Sequence, residues 1–552
     1  MKKVLLIAGL LLLLMVVLVL LLPFVVDLNA YQAQYLPVIE EALNRKIELK
    51  DIRLTIIPRI GVRVAGFTVM DDPAFSTGPF ASLTSLDVGV KLWPLLSKRI
   101  EVEEVTLRDP VITVIKNAQG VLNTSTIGKK GAPKAEAPAK APTPPPAAEG
   151  PLHILTLLAV DRVAVSGGQL TYRDQSAAKP TEYVLQKLEF LLKSVRLGET
   201  ARVHAATTVQ PYNLPVKVDG TLGPLTESLD LKTIDLMIGL GNIALAVKGS
   251  DVGGDLKLAV TSPTINTADL PVALPLKKPI EAKDLKITAE VKGSQARLQN
   301  LSLSLFGGQL AAQGGLTTGP AAPPFDGKVA IQGIQLGPLM EAVGTDKVSV
   351  SGTAALNLSV RGAGFSMPDL TRALEGPGRL QIKDGKIEGI NLLKEAVALL
   401  KAVGVKQDTA NATLFSTIES DLKIKRGIIT VERLLMDSHD FQATANGTVG
   451  FDQTLNLKAN LNLSEALTKS IAGVSPVARF AAKGGRMTVP LLITGTAQAP
   501  SYALDTKAIG TRVQEQVKEQ AKEKLGEVLK GKGAPPGGLE KGEDALKKLF
   551  GQ

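Results

Sequence analysis

The sequence predicts a mainly β protein, its strands mostly antiparallel and its helices few and short, carried behind one N-terminal transmembrane helix. Three observations lead there. Aliphatic and polar residues alternate with a period of two through most of the 552 residues, and a strand sends successive side chains to opposite faces. Turn signals built on glycine punctuate the alternation. A single unbroken apolar run stands at the start.

That run begins at Val4, behind Lys2 and Lys3, and continues through Leu22 to Val26. Roughly 20 apolar residues make about 30 Å of helix, the thickness of a hydrocarbon core. A secretory signal carries only about 7–15 apolar residues and a small-residue cleavage site, and Asn29-Ala30-Tyr31 is a poor one. Residues 1–26 are therefore read as an uncleaved anchor. A positive flank stays cytoplasmic, which gives a single-pass protein with its N-terminus inside and its bulk outside the cytoplasm. Residues 37–44 read as a short helix leaving the membrane surface.

Residues 27–128 form a first β domain, with alternating runs between residues 47 and 69 broken by Pro58 and Gly61. Trp93, flanked by Lys91, Lys98 and Arg99, has two readings: an anchor at headgroup level, or a buried ring in a short helical turn between strands. Residues 129–150 are rich in Ala, Pro and Lys, with Pro142, Pro144, Pro145 and Pro146. Such a stretch neither buries apolar area nor pairs as a ladder. It is read as a linker, the alternative being a long loop on one continuous β structure.

Residues 151–505 hold the clearest strands. The stretch 455–463 reads LNLKANLNL, so Leu455, Leu457, Ala459, Leu461 and Leu463 share one face, with Asn456, Lys458, Asn460 and Asn462 on the other. The same pattern groups Ile234, Leu236 and Ile238; Leu256, Leu258 and Val260; Leu301, Leu303 and Leu305; and Leu356, Leu358 and Val360. These aliphatic faces are the candidate functional residues. Between the runs stand Gly167-Gly168, Asp219-Gly220, Gly253-Gly254, Gly307-Gly308, Gly314-Gly315 and Asp384-Gly385. Asp-Gly tolerates positive φ at both turn positions and is a strong hairpin signal. About 20–25 strands are expected in an irregular meander. Helical spacing of apolar residues predicts helices over 392–403 and 464–471. In the tail, residues 506–552, the apolar positions Ile509, Val513, Val517, Ala521 and Leu525 recur every fourth residue. That makes an amphipathic helix, read as touching an outer-membrane or periplasmic protein or a second membrane, or else as capping the last strands or being partly disordered.

Composition excludes several classes. There is no Cys, hence no disulfide or thiol chemistry, and His153, His204 and His439 lie in no ligand-spaced cluster. No phosphate-cradling loop or nucleophile elbow occurs, so neither a cofactor nor an enzyme activity is expected. The net charge of +10 is dispersed, with aromatics at only 4%. Nucleic-acid binding needs clustered cations with stacking rings, so it is not expected, whereas attraction to anionic lipid surfaces, or simple solubility, suits the same charge.

Several stretches resemble the AsmA family in order and spacing. At the N-terminal end these are Asn44-Arg45-Lys46-Ile47, Leu54-Thr55-Ile56-Ile57-Pro58-Arg59-Ile60-Gly61, Asp72-Pro73-Ala74-Phe75, Trp93-Pro94-Leu95-Leu96 and Gly120-Val121-Leu122-Asn123. Thr124 stands where family members often carry Trp. Toward the C-terminus, the stretch from Gly378 through Asp384-Gly385 to Leu392, and Val489-Pro490-Leu491-Leu492-Ile493, are similar to the family's carboxy-terminal region.

Periodicity leaves two ways to bury the aliphatic faces: two sheets packed as a filled sandwich, or one long curled sheet with an open inner face. The resemblance implies the second, an elongated, curved β-sheet groove. It also implies a role in envelope lipid homeostasis, with similarity to bridge-type lipid carriers. The expected partners are then the inner membrane and phospholipid acyl chains, the expected location is the periplasmic side of a bacterial inner membrane, and the activity is phospholipid transfer toward the outer membrane. A CH₂ group gains about 0.8 kcal/mol on leaving water, so a lane of similar aliphatic side chains suits a moving acyl chain. The alternative is a non-transporting scaffold for outer-membrane protein biogenesis.

Overall fold

The computed structural model describes residues 27–57, 59–97, 101–128, 160–176, 180–226, 228, 230–320, 322–344, 348–399, 411–474, 482–483 and 485–511. The expected anchor over residues 4–26, the linker 129–150 and most of the tail lie outside them. Among the described residues no helix is long and apolar enough to cross a membrane. The fold is mainly β, with twenty-six strands and a few short helices among the described residues. The chain divides into two compact units. Unit 1 comprises Met1–Pro275, Pro279–Leu305 and Gly315–Thr318; unit 2 comprises Leu276–Lys278, Phe306–Gly314 and Gly319–Gln552.

Unit 1 is a long antiparallel meander with one parallel junction. The strands Val102–Arg108 and Val111–Lys116 both pair in parallel with Val160–Asp174. The sheet therefore continues from one side of residues 129–150 to the other. The chain does not divide at that segment, contrary to the expected separation of 27–128 from 151–505. Beyond it, Thr181–Val195, Ala201–Gln210, Leu214–Leu222, Leu231–Leu240, Ile243–Val252, Asp255–Asn266, Glu281–Lys292 and Gln295–Leu305 pair successively, each antiparallel to the next. Short connections and alternating side chains make this the economical topology.

The helix Gln32–Leu43 extends beyond the short helix expected at 37–44. It ends on a left-handed Asn44, φ 52°. Next to it lies a polar hub that the motif residues build together. Asn123 is fully buried. Its amide oxygen accepts from Ile115 N at 3.0 Å, and its amide nitrogen donates to Asp71 Oδ2 at 2.8 Å and Thr113 O at 3.0 Å. Arg45 Nη2 donates to Asn123 O at 3.0 Å. Arg45 and Asn123 carried part of the family resemblance, and their work is to lock loops together. Asn123→Ala leaves buried partners without a donor or acceptor, a loss of about 1–3 kcal/mol. A thermal melt should show unit 1 destabilised by that amount.

In unit 2, Pro324–Gln335, Ser349–Ala363, Glu375–Glu388, Ala412–Lys425, Ile428–Asp437, Phe441–Gly450, Thr454–Leu463, Arg486–Thr496 and Ala499–Leu504 pair in sequence, all antiparallel. Two helices fall where apolar spacing predicts them: Leu392–Leu399, inside the expected 392–403, and Glu465–Val474 for the expected 464–471. Leu392, Ala396 and Val397 from the first and Ile471 from the second pack into one buried cluster with the sheet.

Candidate functional site

Strand register decides what the aliphatic faces do. In unit 1 the cross-strand partners of Leu236 can be followed in both directions. On one side, Leu236 faces Val247, Val247 faces Val260, Val260 faces Ile287 and Ile287 faces Leu301. On the other side the row runs through Gly220, Val203, Leu192, Val163, Val105, Val88 and Val62 to Leu54. One aliphatic row thus crosses thirteen consecutive strands, and each of its residues is half-buried. At about 4.8 Å per strand it extends about 60 Å along the sheet, several times the ~15 Å depth of one bilayer leaflet.

Gly220 is the single gap in this row. A Cβ there would sit 2.1 Å from Asp235 O, so the close approach of two strands excludes a side chain. The opposite face is polar. Arg108 Nε lies 3.0 Å from Asp87 Oδ2, and Arg63 reaches the other carboxylate oxygen. Partial burial pushes the Asp87 carboxyl up, but the two guanidiniums outweigh it and hold the group below its ordinary value. Lys248 with Asp235 at 3.7 Å and Lys292 with Asp255 at 2.9 Å continue the pattern. One face of the sheet is hydrated and charged, and the other offers continuous hydrocarbon.

The candidate residues Ile234, Leu236, Ile238, Leu256, Leu258, Val260, Leu301, Leu303 and Leu305 all lie in unit 1 and are all half-buried. Leu256 faces Val291 and Leu258 faces Ala289, on the same side as the long row.

Unit 2 treats the same alternation differently at its two ends. A row from Ile334 through Ala354, Ile382, Ile418, Met436, Ala443 and Leu461 to Val489 is buried throughout, and from Ala354 onward it belongs to the cluster that the two helices cap. A parallel row, four or five positions along each strand, runs through Val329, Leu358, Gly378, Leu422, Val431, Gly447, Leu457, Ile493 and Tyr502. Its residues are half-buried except for Val431, which is buried. Leu356, Leu358, Val360, Leu455 and Leu457 are half-buried. Ala459, Leu461 and Leu463 are not: they are 5%, 1% and 0% exposed. The expectation of an open face is corrected at these three, because the capping helices fill the space above them with Leu392, Ala396, Val397 and Ile471. The sequence alternation is the same on both sides of that boundary, so only the covering helices distinguish floor from core.

Tyr502 ends the parallel row, where it and Ile493 pack against the helix-covered cluster. Burial pushes its phenol up, and the Glu395 carboxylate adds to this, to about 12. The ring thus stays neutral at physiological pH and compatible with an apolar neighbour. Among the described residues no cluster of His, Asp and Glu has the geometry to hold a metal ion.

The AsmA family model matches residues 1–249 and 277–434 of the chain. No curated protein and no solved structure matches it significantly.

Proposed function

The chain belongs to the AsmA family, and from that premise we propose that it is an inner-membrane-anchored envelope protein whose half-buried aliphatic faces carry phospholipid acyl chains toward the outer membrane. The observation that carries this reading is the thirteen-strand row in unit 1. A monomer rarely leaves contiguous apolar surface beyond a few hundred Å² uncovered unless a ligand or partner takes it. Here the surface is a uniform lane, with no polar group placed in the row to fix one molecule. That monotony suits cargo that moves. Each CH₂ kept out of water is worth about 0.8 kcal/mol, and similar side chains at every step keep that term nearly constant along the path. The charged opposite face supports a chain that works in water.

Photo-crosslinking tests the proposal. A photoreactive side chain in place of Val260 should capture phospholipid in cells, and one in place of Lys257, on the hydrated face of the same strand, should not. Capture of protein instead of lipid from Val260 would favour the scaffold reading.

A further inference from the structure

We propose that one end of unit 1, carrying Ile57, Leu92, Trp93 and Leu95, seats directly in the surface of a lipid bilayer, in addition to the N-terminal apolar run. The proposal rests on the membrane-anchored reading above. It begins from exposure. Trp93 is 80% exposed and Ile57 76%, with Leu92 at 47% and Leu95 at 37%. A Trp buried between strands, one of the two readings of the sequence, is therefore excluded.

These side chains belong to one place in the fold. Thr55 faces Gly61 and Gly61 faces Gly89 across adjacent strands. Val90 N donates to Ile60 O at 2.8 Å. The connection bearing Ile57 and the helix Leu92–Leu96 thus leave the same end of the sheet.

The route of the chain says what covers this end. Asn29 is fastened to the strand Asp51–Thr55: its amide nitrogen donates to Asp51 Oδ1 at 3.0 Å, and its amide oxygen accepts from Ile52 N at 2.8 Å. The helix Gln32–Leu43 then runs away from that point. It finishes at the opposite end of the sheet, where Gly128 N donates to Leu43 O at 3.1 Å and Met70 N to Lys46 O at 2.9 Å. Asp51 and Ile52 pair with Ala65 and Val64, midway along Gly61–Met70, so the chain following Asp27 meets the sheet nearer the Trp93 end than the helix's own C-terminus does, and the apolar run precedes that point. A ring with a large apolar body and one N–H donor suits the boundary between headgroups and acyl chains. The long aliphatic row also starts here, at Leu54, Val62 and Val88, so a seated end would set the start of the row at the membrane.

The seating is hydrophobic. Among the described residues the nearby cations are paired, Arg59 with Glu103 and Glu104, and Lys91 with Asp161 at 3.1 Å; Lys98 and Arg99 lie outside the described residues. Zwitterionic lipid should suffice.

Trp93 is the one Trp in the chain, so intrinsic fluorescence reports this end alone. The full chain is reconstituted into phosphatidylcholine vesicles with and without brominated acyl chains. The expected result is blue-shifted emission that brominated lipid quenches. Replacing Ile57, Leu92 and Leu95 together by Ser, with Trp93 kept, should remove most of that quenching while the chain still floats with the vesicles. Red emission open to iodide, in a chain that floats, overturns the seating and leaves the anchor reading standing. Blue emission that brominated lipid does not quench assigns the surface to protein and also overturns it. A chain that fails to float overturns the anchor reading and the seating with it.

Discussion

Leu236→Asp should lower phospholipid transfer at least about a hundredfold while leaving the protein folded. Leu236 sits mid-row between Gly220 and Val247 and is half-buried. In the empty chain a carboxylate there keeps contact with water, and an exposed strand position changes stability by only about 1 kcal/mol. When an acyl chain slides across, that water must leave. An unpaired carboxylate stripped of solvent costs several kcal/mol, and about 3 kcal/mol on the highest point of the path is roughly a hundredfold in rate. A lane has no detour, so the effect should be nearly the same at Val247 or Val260. The adjacent Met237 faces the hydrated side, is 54% exposed and opposes Asp219. Met237→Lys should transfer lipid at the parental rate. Transfer between donor and acceptor vesicles, with circular dichroism as the folding control, reads both. Parental transfer by a folded Leu236→Asp chain would remove the row from the pathway.

The sequence showed the strands and concealed what covers them. Period two fixes which residues share a face, so Leu256, Leu258 and Val260 were legible as one group before any register was known. Register was not: that Val260 meets Ile287 and Val247 depends on connection lengths, and that Ile287 meets Leu301 while Ala289 meets Leu298 depends on the shift between Thr288 and Ala289. The pairing of Val111–Lys116 with Val160–Asp174 spans more than forty residues of chain, and no local pattern announces it. Asn123 illustrates a different gap. Its neighbours in the hub come from Asp71, Thr113, Ile115 and Arg45, and a lone Asn after a leucine gives no hint of burial. Trp93 was ambiguous for a physical reason: an aromatic ring satisfies a core and an interface equally well, and only its surroundings decide.

The second large effect separates covered face from open face within a single strand. Leu461→Ala should destabilise unit 2 by about 2–5 kcal/mol, the cost of deleting a buried leucine and leaving its cavity. Leu461 is 1% exposed and touches a close-packed cluster that includes Leu392, Ile471 and Met487, so little can relax into the space. Leu457→Ala, four residues earlier on the same face, removes a half-buried side chain and should cost about 1 kcal/mol or less. Chemical denaturation of the full chain measures both, and equal losses would mean that the helices do not seal one end of the face as described. Charge makes the contrast sharper. Leu461→Asp places an unpaired carboxylate in a dry core, where the penalty of several kcal/mol exceeds what the unit can absorb, and it should fail by unfolding. Leu457→Asp should stay folded and lose lipid capture. Two substitutions of one kind, on one face of one strand, would then fail for different reasons, and that difference marks where a hydrocarbon core ends and an acyl path begins.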